Sequence, residues 1–136
     1  MAKAKDRSTE ALERGLEGSW RPVAAYVADA ALEVAELRVA RFALHAGRYE
    51  IQDRDGQLLD SGDYSLDTAV SPLAMDMLGL DGPYAGRRLE AIFELDGDRL
   101  TVCYDLDGLA RPESMVPEDE QLLLRICYAR EASRPS

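Results

Sequence analysis

The side chains able to do chemistry are few, and their spacing restricts what that chemistry is. His45 is the single histidine, beside the Ala46-Gly47 turn signal at the end of an alternating run. A Ser-His-Asp or Cys-His nucleophile needs that ring, and so does a histidine-ligated haem. At a strand end it reads instead as a solvated turn residue. Cys103 and Cys127 each stand inside an apolar, strand-like run with no His or second Cys close in sequence, so they make no zinc site. They read as buried free thiols. With 106–120 as the loop between the last two strands, a symmetric hairpin pairs positions summing to about 226. Cys103 then faces Leu123 and Cys127 faces Arg99, which leaves the thiols too far apart for a disulfide.

Carboxylates are plentiful and mostly sit in turns: Asp53/Asp55, Asp96/Asp98, Asp105/Asp107 and Glu118-Asp119-Glu120. Asp105-Leu106-Asp107-Gly108 resembles the end of a calcium loop but lacks the third acid and the closing Glu. Asp-Gly is also what a tight hairpin takes, so structural turns are the simpler reading and no metal is expected. Asp76 interrupts an apolar run between Met75 and Met77, and Arg87 or Arg88 is its expected partner. Asp63 and Asp76 are the acids to test as a general acid/base pair, with structural ion pairing as the competing reading.

Charge narrows the partners. Sixteen Lys and Arg against 26 Asp and Glu give a net charge of −10. Residues 1–41 sum to zero, so the whole excess lies in 42–136. That field repels nucleic acid and anionic membrane surfaces, and neither is expected as a partner. No apolar run approaches the ~18 residues of a membrane span. Met1-Ala2-Lys3-Ala4-Lys5-Asp6-Arg7 has no apolar stretch behind its charges, so the expectation is no signal peptide and a cytoplasmic, reducing location. A chain of 136 residues, 46% hydrophobic and 31% charged, is one domain's worth of globular protein.

The elements that must position these residues are mostly strands. A short helix is expected over 8–17, capped by Ser8 or Thr9 and ended by Gly18. Strands are expected over 20–28, 38–45, 48–53, 58–67, 73–78, 88–95, 99–105 and 121–130, from period-2 alternation and turn residues between them. A bulge is expected at Gly62. A second short helix is expected over 30–37, between the first two strands, with Asp29 as its cap and Leu32, Val34, Ala35 and Leu37 as its apolar set. Eight short strands without a linker or repeat point to a mostly β, antiparallel barrel or sandwich over 8–130, with tails at 1–7 and 131–136.

Gly18-Ser19-Trp20, just after the first helix, resembles the opening signature of lipocalin-like (calycin) barrels. The resemblance implies an eight-stranded antiparallel barrel whose floor is closed by Trp20. A basic residue from the last strand would pack over its ring, Arg130 as the matching candidate and Arg125 as the alternative. A longer resemblance covers most of 15–130. Leu16-Glu17-Gly18-Ser19-Trp20, Gly62-Asp63-Tyr64-Ser65-Leu66-Asp67, Ser71-Pro72-Leu73-Ala74-Met75-Asp76, the run from Ile92 to Tyr104 and Arg111-Pro112-Glu113 look like a bacterial family of small lipocalin-like domains of unknown function. In that family the position of Cys103 and an Arg-Pro-x-x-Phe-like loop recur; here the loop reads Arg111-Pro112-Glu113-Ser114-Met115. The resemblance brings a fold and no catalytic residues.

The functional expectation follows from the barrel. Phe42, Tyr49, Tyr64, Met75, Met77, Phe93 and Tyr104, with Tyr26, are candidates to line an interior cavity, and Met suits an irregular pocket wall. Leu32 and Val34 are lid candidates over the mouth. The first reading is binding of a small apolar or amphipathic molecule, with no cofactor implied. The second is a cofactor-free isomerase or cyclase using the same cavity. The third is an interaction module with a filled core and acidic loops. A cavity with convergent Tyr, Asp or Arg groups favours the enzyme, a uniformly apolar one favours binding, and a filled interior favours the module.

Overall fold

A computed structural model describes residues 7–28, 30–70, 72–81, 85–106, 111–115 and 122–131. Among them, helix α1 (Arg7–Leu16) precedes strands β1 (Gly18–Val27), β2 (Ala30–Leu32), β3 (Arg41–His45) and β4 (Arg48–Gln52). There follow β5 (Leu58–Asp67), β6 (Leu73–Asp81), β7 (Arg88–Asp96), β8 (Arg99–Asp105) and β9 (Leu123–Arg130). From β3 to β9 each strand pairs antiparallel with the next. β1 pairs with β3 through Trp20↔Phe42 and with β9 through Trp20↔Arg130, so eight strands close into a barrel without a free edge.

Helix α1 lies across one end. Leu16 is fully buried and Leu12 packs on the main core, which gives the short helix the apolar stripe that anchors it. The helix already begins at Arg7, so neither Ser8 nor Thr9 is its cap, and Thr9 instead bonds Thr68 at 2.8 Å. Beneath the helix the barrel is filled. Trp20, Leu44, Met75, Phe93 and Leu100 have no exposed surface, and the Phe42 ring sits 5.4 Å from that of Tyr128.

The stretch 30–37 departs from the expected helix. Ala30–Leu32 is strand β2, paired with the end of β1, and only Val34–Glu36 forms a single 3-10 turn. Ala28 takes a φ of +46° and Val27 pairs with Ala30, so the chain reverses tightly on itself. Pairing to β1 then satisfies backbone groups that so short a helix would leave open. The expected cap at Asp29 lies outside the described residues.

Register shifts occur in three strand pairs, β1–β9, β4–β5 (where Ile51 faces Asp60 and Gln52 faces Leu58) and β5–β6. The β1–β9 register shifts between Pro22 and Ala24, so Trp20 and Ala25 both reach the core and Tyr26 faces outward. Its ring lies 4.6 Å beneath the Arg125 guanidinium, and Tyr26 is not a cavity residue. The β5–β6 register shifts between Ser61 and Gly62. A Cβ at Gly62 would overlap the Leu78 carbonyl, so the close strand approach there requires glycine.

A second layer covers the outside of β7, β8 and β9. Met115 packs on a cluster of Ile92, Cys103 and Leu123, while Arg125 donates to the Met115 carbonyl at 3.2 Å. Arg111 bonds the Ala91 carbonyl at 2.9 Å and the Asp76 carboxylate. The β8–β9 register pairs Cys103 with Arg125 and Thr101 with Cys127, two residues away from the symmetric expectation of Leu123 and Arg99. The thiols are diagonal neighbours, and both are free.

Candidate functional site

The end of the barrel under α1 is sealed by Trp20 and Arg130. The indole Nε1 donates to the Leu16 carbonyl at 2.9 Å, and the Arg130 guanidinium lies 4.3 Å from the ring centroid. Arg130, and not Arg125, thus holds the place over Trp20. Its Nη1 bonds the Glu17 carbonyl at 2.6 Å, Nη2 bonds the Gly15 carbonyl, and Nε meets Asp98 at 2.9 Å. One cation therefore satisfies carbonyls at the negative end of α1 while covering an aromatic face. Gly18 takes φ +123°, a conformation that L side chains rarely adopt, and a Cβ there would come within 3.2 Å of Arg130 Nη1; the backbone conformation accounts for the glycine of Gly18-Ser19-Trp20.

Among the described residues the opposite end is hollow. A cavity of about 560 Å³ opens among the ends of β4 to β8 and the segment before β3. Val39, Ile51, Leu59, Met77 and Leu89 supply its apolar wall. Tyr49, Asp60, Tyr104 and Asp105 supply polar groups, and Arg38, Arg87, Arg88 and Leu106 complete the lining. All three arginines are exposed.

Of the eight side chains expected around a cavity, Tyr49, Met77 and Tyr104 line this one. Phe42, Tyr64, Met75 and Phe93 point inward but belong to the packed half beneath it. Aromatic volume is concentrated near Trp20, and the interior empties only beyond it. Leu32 packs against the core and Val34 is half-buried, and neither lines the cavity. The chain reaches the mouth instead at Arg38 and Val39.

Asp60 is the polar residue that the sequence pattern did not single out. It pairs with Ile51 across β4–β5 and points to the same side as Tyr49. The Tyr49 hydroxyl donates to its Oδ2 at 2.9 Å, while its Oδ1 is buried without a partner among the described residues. Burial pushes the Asp60 carboxyl up, against the lowering pull of the Tyr49 hydrogen bond and of the nearby Ser61 amide. Burial, reinforced by the Asp60 and Asp63 carboxylates, raises the Tyr49 phenol well above its ordinary range, so it stays protonated and donates. Asp60 shares the odd-even parity of Gly62, Tyr64 and Leu66, and that parity was the available signal.

Asp63 and Asp76 do not meet in the cavity. Asp63 is exposed, with Arg48 Nη1 3.9 Å away. Asp76 accepts from Arg88 at 2.8 Å and from Arg111 on the outer face. Desolvation alone would raise its carboxyl, but hydrogen bonds from Arg111 and Arg88 hold it below the usual carboxylate range. The arginine partnership expected for Asp76 therefore includes Arg111, which comes from the strap over β7 to β9. His45 is the last residue of β3, beside the Ala46-Gly47 turn, with its side chain 89% exposed and 3.4 Å from Glu17. Among the described residues no group of three His, Cys, Asp or Glu side chains is placed to hold a metal ion, and no helix is long and apolar enough to cross a membrane. Asp107, Gly108 and Glu118-Asp119-Glu120 lie outside the described residues.

Comparison of the chain with protein families, with curated proteins and with solved structures gave no match in any of the three.

Proposed function

We propose that the protein is a lipocalin-like binding protein that takes a small hydrophobic or amphipathic molecule into the open end of its barrel. The observation that carries this reading is the cavity of about 560 Å³, a size typical of small-molecule sites. Its walls combine an apolar surface with a few fixed polar groups, as ligand pockets do. Each 100 Å² of apolar ligand surface removed from water there is worth about 2.5 kcal/mol before the costs of association. Kinship with bacterial lipocalin-like domains rests on the Gly18-Ser19-Trp20 signature and the Arg111-Pro112 strap. Native mass spectrometry of protein isolated from its own host tests the reading. A retained small molecule supports it, and a bare mass from ligand-rich cells counts against it.

One observation favours a second reading, a cofactor-free isomerase or cyclase. Tyr49 and Asp60 form a hydrogen-bonded pair at the cavity wall, with a phenol that keeps its proton and a carboxylate of raised pKa. Such a pair can hold or move a proton on a bound substrate. Incubation with the retained ligand separates the two: an unchanged ligand means binding, and an isomer of the same mass means catalysis.

A further inference from the structure

We infer that the molecule held in this cavity carries a positively charged, hydrogen-bond-donating head, a protonated amine or its equivalent, that seats against Asp60 with its apolar body against Ile51, Met77 and Leu89. The inference rests on the binding reading and specifies its ligand class.

Asp60 is half-satisfied. Tyr49 occupies Oδ2, and Oδ1 is withdrawn from water with no donor among the described residues. A buried acceptor in that state costs free energy that a ligand donor recovers. The residue lines the cavity and its terminal torsion is soft, so the carboxylate can turn to present an oxygen to a donor there. A second carboxylate on the same lining, Asp105, is only 8% exposed. The desolvation that pushes the Asp60 carboxyl up is the mark of a charge short of compensation.

The arginines at the mouth point less strongly to an anion. Arg38, Arg87 and Arg88 are exposed, and Arg88 is already committed to Asp76 at 2.8 Å. Charge pairs formed in water at the rim are screened, whereas a pair formed on the partly buried wall is screened much less. An anionic head pushed past the rim would meet two carboxylates. The net charge of −10 also draws cations toward the protein.

The test uses three ligands with one chain: octylamine, octanol and octanoate, titrated calorimetrically at neutral pH into the full-length protein and three variants. Octylamine is expected to bind about tenfold more tightly than octanol, and octanoate most weakly. Asp60→Asn should bring octylamine down to the octanol level and leave octanol within about threefold. Tyr49→Phe, which frees Asp60 further, should keep the amine preference. Asp63→Asn removes an equal charge from the outer surface and should change nothing, which separates local pairing from the general field. Circular dichroism verifies that each variant is folded, and should Asp60→Asn fail to fold, the ligand order in the unaltered and Tyr49→Phe proteins decides. Equal affinities, a preference for octanoate, or an amine preference that survives Asp60→Asn overturns the inference but leaves ligand binding intact. If none of the three binds, both the inference and the binding reading fall.

Discussion

At the scale of single residues, Trp20 and Arg130 show how few side chains close one end of the barrel. Removing the indole takes away a fully buried aromatic and the hydrogen bond to Leu16, so Trp20→Ala should lower stability by about 3–5 kcal/mol in urea unfolding. The thiols give a second expectation. Burial pushes Cys103 up to about 11, while Cys127 is only partly buried. The folded protein should therefore react with a thiol reagent at Cys127 at most, and at both cysteines once unfolded. The acids give a third, with opposite signs. Asp76 has a folded pKa below its unfolded one, so its contribution is full above the unfolded value and fades as pH falls through the folded one. Asp60 has a raised folded pKa, so its ionised form weakens the fold at neutral pH and protonation relieves this as pH falls toward the unfolded value. Melting curves across the acid range should show Asp76→Asn less stable than the parent at neutral pH with the gap closing in acid, and Asp60→Asn more stable at neutral pH. Trp20 and Arg130 were legible because a spaced signature marks them. Asp60 was not, because one acid in an apolar phase looks like a solvent-facing residue until a partner strand fixes its side.

At the scale of elements, period-2 alternation located the barrel strands to within a few residues, since each pairs with a neighbour along its length. What alternation cannot carry is a bulge. The extra residue between Pro22 and Ala24 reverses the phase downstream, which is why Tyr26 lies outside although it is an aromatic in a strand. Nor does a short apolar stretch reveal whether it will pair or coil, and 30–37 pairs where helical spacing was read. Gly62 tests the close approach of β5 and β6. Gly62→Ala should cost about 1–3 kcal/mol or more, measured by chemical denaturation, because backbone and not a flexible side chain must yield. The strap of 111–115 is tested through Arg111, which ties it to Ala91 and Asp76. Arg111→Ala should leave the barrel folded while exposing Cys103 to thiol reagent many times faster than in the parent. Unchanged protection would mean that the strap holds without its arginine.

At the scale of the whole molecule, the interior is divided. A packed half under α1 holds most of the aromatic side chains, and a hollow half beyond it is ringed by Tyr49, Asp60, Met77 and Tyr104. The closed barrel was legible in the count and spacing of strands. The division was not, because inward parity says which side chains face the axis and nothing of how far along it the filling extends. A ligand that binds only the folded state raises the melting temperature in proportion to its occupancy. The most direct test is a thermal melt of the protein and of Met77→Trp against one panel of apolar and amphipathic small molecules, with Tyr26→Trp on the outer face as control. The expected result is at least one compound that raises Tm by several degrees in the parent and in Tyr26→Trp, and by nothing in a folded Met77→Trp whose cavity is occupied by the indole. A panel with no stabilising member, or a shift that survives Met77→Trp, would contradict a ligand site in this cavity.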